Sequence, residues 1–385
     1  MKKILFIASE RVDLKSGGGL ANRAFLDSLM THYPQQVDVI QLRHYSNDID
    51  KAPFYFVPQL SKISQLQQII CGHPHRLYKW MPSFLKEHGS EYSHCIINQS
   101  WYGDLIPMLK TYGIKVAVIH HNYEAKYQMD NKLPSTLYGL TPAIIRRNER
   151  KALNLSSLNM YLTQSDFHKL SQVYGPHGIG KDAVIGIYEP AESGRSKNIP
   201  KYPLPYNELV ICGSLNNKQT EDAVINFFED YYHILDDTYC KDFRLIITGR
   251  NPGNTIQSLA TQHKHVELIA NPENIEDIIQ QSGILICPVN RGSGLKLRIM
   301  DGMRLGLPIL THEISSHGYE PFFSYPWFQI YHDHKTFMSG LKQIVSLIGS
   351  KPTLRNEIAE CYQKFFSFEC GDKRFIKAIS SFLEH

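Results

Sequence analysis

Short apolar runs alternate with amphipathic stretches along almost the whole chain, a pattern that predicts parallel α/β sheets. In the first half, residues 4–8, 37–42, 95–98, 115–120, 159–163 and 183–187 read as strands. Apolar residues recur at helical spacing over 21–31, 104–112, 142–153 and 165–174. Residues 189–207 break the rhythm with Pro190, Gly194, Pro200, Pro203 and Pro205, the composition of a linker. A second alternating set follows, with strands at 209–212, 244–248 and 265–269 and helices at 221–235, 255–263 and 275–281. Residues 353–383 read as helices with a break at Gly371. The expected layout is a first domain over 1–190, a linker over 191–207, a second domain over 208–365, and a terminal helix over 366–385 that packs back on the first domain.

One segment of the second set carries chemistry. Gly283 to Cys287 is an apolar strand that Pro288 stops, and Arg291-Gly292-Ser293-Gly294 is a basic glycine turn. Helical spacing then begins (Leu295, Ile299, Met303) and runs until Gly306 and Pro308, before another short strand. A strand that feeds a glycine turn and a helix start presents unpaired N–H groups at the positive end of the helix dipole, where phosphate binds. Arg291, Lys296 and Arg298 add cations at the same place. The segment reads as a seat for a diphosphate, such as that of a nucleotide sugar. The plain alternative for the turn alone is a glycine turn that only relieves helix–strand crowding. Arg298 and Asp301, three apart, share a helix face. A carboxylate there suits the paired hydroxyls of a ribose; the plain alternative is a surface ion pair.

Bulk properties narrow the class. A chain of 385 residues exceeds one ordinary core, and 42% hydrophobic with 20% charged residues fits a soluble globular protein. No apolar run is long enough to span a membrane, and the run after Lys2 and Lys3 is too short for a signal peptide, so a cytoplasmic protein is expected. Seven cysteines without Cys-x-x-Cys spacing support neither a disulfide framework nor a zinc site, and Cys212 and Cys287 read as core residues. The net charge of +4 is uneven: through residue 190 there are 21 Lys+Arg against 15 Asp+Glu, and 20 against 22 beyond it. A basic first half suits an anionic acceptor or peripheral contact with the inner face of a membrane. Nothing in the pattern suggests a nucleic-acid partner.

Further motifs lie where strands end. Ser16-Gly17-Gly18-Gly19 stands ahead of the helix that carries Asn22, and His120-His121-Asn122-Tyr123-Glu124 follows a strand. Thr163-Gln164-Ser165-Asp166 opens a helix and reads equally as an N-cap. The second half opens with Ile211-Cys212-Gly213-Ser214-Leu215 and then Lys218, and Gly249-Arg250-Asn251-Pro252 ends a later strand. With the Arg291–Asp301 segment, these motifs resemble those of the GT-B glycosyltransferases, specifically the family 4 retaining group, over nearly the whole chain in element order.

That resemblance implies two Rossmann-like doubly wound domains facing each other across a cleft. It implies Gly17, Gly18, Gly19, Asn22 and Glu124 in an acceptor or phosphate loop, and His121 at the donor sugar. Donor-binding residues would be Gly213, Ser214, Lys218, Arg250, Arg291, Gly292, Ser293, Gly294 and Leu295; His121, Lys296, Arg298 and Asp301 would carry catalysis. Three positions depart from the family pattern. Ser214 replaces a diphosphate-clamping arginine, Ser293 stands where the first of two glutamates is usual, and Asp301 replaces the second.

The expected activity is retaining transfer from a nucleotide-diphosphate sugar to a glycan or lipid-linked acceptor, in bacterial-type surface polysaccharide synthesis. No metal, no further cofactor and no Asp-x-Asp chemistry are expected. The leaving phosphate would take the acceptor's proton, so no side-chain nucleophile is needed, in keeping with a sequence that displays no obvious carboxylate pair. Two alternatives stay open: a GT-B nucleotide-sugar 2-epimerase, and a non-catalytic glycan- or partner-binding descendant that the changes at Ser214 and Ser293 would allow. A Rossmann oxidoreductase is disfavoured, because the first glycine loop lacks Gly-x-Gly-x-x-Gly spacing.

Overall fold

Strands covered on both faces have no side to show to water, and the central strands here are apolar almost throughout. In the computed structural model they form two all-parallel sheets. The structure describes the chain apart from residues 1, 9, 14–16, 44, 46–47, 74, 131–140, 176–179, 192–202, 240–241, 293 and 385. One unit comprises Met1–Gly194 with Phe366–His385, the other Arg195–Phe365. Most of the predicted linker, and Ser16, lie outside the described residues.

The first unit holds β1 (Lys3–Ile7), β2 (Val37–Leu42), β3 (Phe54–Val57), β4 (Tyr92–Ile97), β5 (Lys115–His120), β6 (Leu158–Tyr161) and β7 (Lys181–Val184). They pair in the order β3-β2-β1-β4-β5-β6-β7. Its helices are α1 (Gly17–His32), α2 (Lys62–Ile70), α3 (Leu77–His88), α4 (Leu105–Thr111), α5 (Glu124–Asp130), α6 (Thr141–Leu155) and α7 (Gln164–Tyr174). Leu5, Ile7, Ile40, Ile97, Leu105 and Val118 pack in one core and are wholly buried. Each such side chain contributes about 1.5–3 kcal/mol.

The second unit holds β8 (Glu208–Ser214), β9 (Arg244–Arg250), β10 (Val266–Ala270), β11 (Ile284–Cys287), β12 (Ile309–His312) and β13 (Phe328–Tyr331), in the order β10-β9-β8-β11-β12-β13. Around them lie α8 (Lys218–Asp230), α9 (Tyr232–Tyr239), α10 (Asn254–Gln262), α11 (Ile275–Gln281), α12 (Leu297–Arg304), α13 (His334–Ser350) and α14 (Leu354–Phe366). The chain then enters α15 (Phe368–Leu383), a helix of the first unit. No helix among the described residues is long and apolar enough to cross a membrane. In each sheet the chain reverses its direction of progress once, between β1 and β4 and between β8 and β11. Ligands of open parallel sheets bind beyond the strand ends at such switch points.

Several expectations need correction. Gly17, Gly18 and Gly19 are not a loop ahead of a helix; they are the first turn of α1. Gly19 is buried there. The predicted helix 221–235 is two helices parted at Tyr231, whose ring packs on Tyr331 and Phe337. The terminal helices do not break at Gly371. The break is at Ser367, which caps α15 by accepting from Cys370 N, and Gly371 lies inside that helix. Its missing side chain serves packing: a Cβ there would stand 1.9 Å from Cγ of Tyr188. The sequence reading assigns no element to β3, α2, α3, α5, β13 or α13. Four-residue strands are too short to display a period, α3 contains Pro82, and α2 turns Ile63 and Ile70 toward solvent.

Candidate functional site

The switch point of the second sheet gathers most of the predicted donor residues. On one side β8 ends at Ser214, and Asn217 caps α8 by accepting from Gln219 N at 2.9 Å. On the other side the chain leaves β11 and passes Gly292 (φ 93°) and Gly294 (φ 82°). Both sit in the left-handed region that favours glycine. It then enters α12 behind Lys296, which supplies no side-chain cap. The helix therefore starts at Leu297, two residues later than Leu295; Ile299 N donates to the Lys296 carbonyl at 2.9 Å, and Lys296 leaves the Leu297 and Arg298 N–H groups without a side-chain cap.

Arg298 links the two sides. Its guanidinium lies against Gly213, where a Cβ would come within 2.7 Å of Cζ and Nη1. Its Nη2 donates to Thr220 Oγ1 at 3.2 Å. Nη1 is buried and makes no hydrogen bond among the described residues. An unsatisfied N–H on a buried cation is costly, and an anion that accepts from it would remove that cost. Lys296 is buried; its Nζ donates to Gln219 Oε1 at 3.3 Å, and its carbonyl accepts from the buried Tyr319 hydroxyl at 2.9 Å. Gln219 Nε2 donates to the Arg291 carbonyl at 2.6 Å. It occupies the volume a side chain at Gly292 would need, with only 1.5 Å between it and an added Cβ. One glutamine thus staples the glycine turn to the start of α8.

The remaining cations are differently disposed. Arg291 pairs with Asp222, and Lys218 Nζ lies 2.7 Å from the same carboxylate and 3.8 Å from Glu221. Both are exposed, so each pair contributes about 0–1 kcal/mol and exchanges readily. Ser214 and Arg250 are register partners at the ends of β8 and β9, and both are exposed. Gly249 permits that approach, since a Cβ there would meet the Gly213 carbonyl at 1.8 Å. Asp301 follows Arg298 by one turn of α12 and acts electrostatically on buried Cys212 and Tyr319. Ser293 lies outside the described residues. Gln219, Thr220, Asp222 and Tyr319 escape the sequence reading; of these, only Gln219 is flagged by a local signal, the Asn217 cap just before it.

In the first unit His121 follows β5 and is half-buried, with Nε2 2.6 Å from Oδ1 of Asn98, a residue that follows β4. Desolvation lowers the ring's pKa to about 4, so it is neutral at pH 7. Asn98 donates to Asn22 of α1, which donates to the Glu10 carbonyl at 3.1 Å. Glu124 opens α5 and is buried. Its backbone N–H donates at 2.9 Å to Glu149, a buried residue of α6 that also accepts from the Ser100 hydroxyl at 3.3 Å and the Tyr174 hydroxyl at 2.6 Å. The sequence therefore does contain a carboxyl pair. Burial raises the pKa of both groups, and for Glu124 the neighbouring Glu149 adds to it. Thr163 caps α7, accepting from Asp166 N at 2.9 Å.

The sequence also contains an Asp-x-Asp run, at Asp48-Ile49-Asp50, contrary to the expectation above. Asp48 holds the Arg11 guanidinium at 2.7 Å, and Asp50 accepts from Phe56 N at 2.8 Å.

Residues 206–320, within the second unit, match the family described as Glycosyl transferases group 1. No curated protein sequence matches the chain. Among solved structures, the chain is similar to sucrose-phosphate synthase from Thermosynechococcus elongatus, at 13% identity, with 100% of each chain covered and a TM-score of 0.69. It is similar to the catalytic domain of starch synthase IV from Arabidopsis thaliana, bound to ADP and acarbose, at 12% identity, 100% of each chain and a TM-score of 0.68. It is also similar to HepE of Anabaena in complex with UDP-glucose, at 13% identity, 99% of this chain, 100% of that one and a TM-score of 0.63. At these identities the likeness is one of fold. The chain has the GT-B fold, its second unit carries a group 1 glycosyltransferase sequence over residues 206–320, and the protein is a glycosyltransferase.

Proposed function

We propose that the protein is a retaining enzyme that moves a sugar from a nucleotide-diphosphate sugar to a glycan or lipid-linked acceptor, without a metal ion, in the synthesis of a bacterial-type surface glycan. The observation that carries the donor class is Arg298, a cation with a buried N–H that is unbonded among the described residues, beside the glycine turn and the uncapped start of α12. Solved structures of similar fold hold UDP-glucose in one case and ADP in another, which favours the same donor class here.

As the anomeric C–O bond breaks through an oxocarbenium-like state, negative charge grows on the departing diphosphate. Lys296, Arg298 and the first N–H groups of α12 would stabilise that charge, the task a divalent cation performs in other transferases. Retention rests on the family resemblance: the acceptor oxygen bonds to the anomeric carbon on the face the diphosphate leaves, and its proton passes to that phosphate. The Glu124–Glu149 pair supplies no nucleophile, because both carboxyls are buried and held toward the protonated form. Asp301 would hold the ribose hydroxyls.

A cytoplasmic enzyme in contact with a membrane's inner face suits a lipid-linked acceptor. Residues 51–86 contain Lys51, Lys62, Arg76, Lys79 and Lys86 and no acidic residue. Ile63 and Ile70 of α2 are 71% and 68% exposed in the same stretch. Basic charge interleaved with exposed apolar side chains suits an anionic lipid surface.

Calorimetry with UDP, GDP and ADP in the presence of EDTA tests the donor class, followed by transfer assays with the matching nucleotide sugars. Micromolar binding of one diphosphate without metal is expected. Absence of binding by all three ends the reading, and a rearranged sugar released without acceptor would make the protein an epimerase.

A further inference from the structure

The ends of β1, β4 and β5 carry a buried chain of hydrogen bonds whose direction is fixed at one end. It begins at the Glu10 carbonyl, which can only accept. Asn22 must therefore turn its amide nitrogen toward that carbonyl, at 3.1 Å. Its oxygen then faces Asn98, and only the nitrogen of Asn98 can meet an oxygen. The oxygen of Asn98 is left facing His121, 2.6 Å from Nε2. An oxygen without a proton requires a donor, so Nε2 carries the hydrogen. Both asparagines are wholly buried, so water cannot take over a link turned the wrong way round.

We propose that Asn98 and Asn22 are positioning residues that lock His121 as the neutral Nε2–H tautomer and leave Nδ1 as the ring's open acceptor. The inference rests on the reading above only in treating His121 as a residue of the transfer site. His121 then takes a hydroxyl proton in a hydrogen bond at Nδ1, and it offers no N–H to a phosphate oxygen from that side. It does not serve as the acid that protonates the leaving group. Stabilisation of that charge falls to Lys296, Arg298 and the start of α12.

The plain alternative is that three buried polar side chains merely satisfy one another and the ring state is incidental. Long-range 15N–1H correlation on histidine-labelled protein at pH 7 separates the two, because both ring nitrogens report their protonation directly. The locked ring gives the limiting shifts of a single tautomer, with Nε2 protonated and Nδ1 bare. In Asn98→Ala the His121 signals move to the averaged positions of a ring that samples both tautomers, with circular dichroism unchanged. If that variant fails to fold, Asn22→Ala is read instead; it frees the Asn98 amide to turn over and admits the Nδ1–H form. Averaged shifts or a protonated Nδ1 in the native protein overturn the proposal, as does retention of the native shifts in the folded variant. Neither result depends on nucleotide binding, so failure here is distinct from failure of the donor assignment.

Discussion

The Arg298 guanidinium lies on the bare backbone of Gly213, joining the first turn of α12 to the end of β8 across the point where the second sheet changes direction. Gly213 has φ of 154° and no side chain, and the contact needs the missing side chain: an added methyl group would stand 2.7 Å from Cζ. Gly213→Ala is expected to push the guanidinium aside. Affinity for the preferred nucleoside diphosphate should fall at least about tenfold by calorimetry, with a much smaller change in Tm. Arg298→Ala should lower kcat on the order of 10²–10³, the scale for loss of one preorganised donor to a developing anion. Unaltered turnover in Arg298→Ala would remove the residue from the mechanism.

Asp222 holds two cations of the same neighbourhood, Arg291 and Lys218. Its carboxylate competes with any phosphate for them. Asp222→Asn is expected to tighten diphosphate binding several-fold at low ionic strength and to steepen the loss of affinity with added salt. Titrations at two salt concentrations measure both effects. Weaker binding in the variant would show that Asp222 orders the cations rather than occupying them.

The buried Glu124 and Glu149 make stability depend on pH in a defined direction. Their folded pKa values are raised from 4.5 by burial, so the stabilising protonated forms are fully present below the unfolded carboxyl pKa. That contribution is lost as pH rises through the folded values, about 7 for Glu149 and about 8 for Glu124. His121 acts oppositely, because its folded pKa is depressed from 6.5 to about 4, and stability is lost as pH falls through that interval. Urea midpoints between pH 5 and 9 should therefore decline on the alkaline side, and Glu124→Gln should flatten that decline. A slope identical to that of the native protein would mean Glu124 is ionised in the folded state.

Gly371 sets two effects of opposite sign against each other. Alanine is favoured over glycine inside a helix by about 1 kcal/mol. Here, however, a methyl group would press into the Tyr188 ring, which is itself buried and bonded through its hydroxyl to Ser28 at 2.8 Å. Overpacking of this kind costs about 1–3 kcal/mol, so Gly371→Ala should lower Tm. A raised Tm would show that Tyr188 moves away freely.

How much of this was legible in the sequence varied with the residue. Strands 37–42 and 115–120 match the sequence expectation to the residue. The glycine turn before α12 was readable because left-handed backbone demands glycine. By contrast, no spacing rule could indicate that Gln219 fills the place of a side chain at Gly292. Nor could any local pattern pair Glu124 with Glu149, or show that Gly371 is empty for the sake of Tyr188.

The amino-acid order by itself settled the alternation of strand and helix, and with it the parallel α/β class, because hydrophobic period is a local property that each segment carries alone. It also settled that cations and glycines would cluster ahead of α12. Tertiary structure decided which cations stay available: Arg298 keeps a buried N–H unbonded among the described residues, while Arg291 and Lys218 are held by Asp222. It likewise decided the ring state of His121, through two asparagines distant in sequence. Charge pairing and hydrogen-bond direction depend on distances of a few ångströms between segments that only the sheet order brings together.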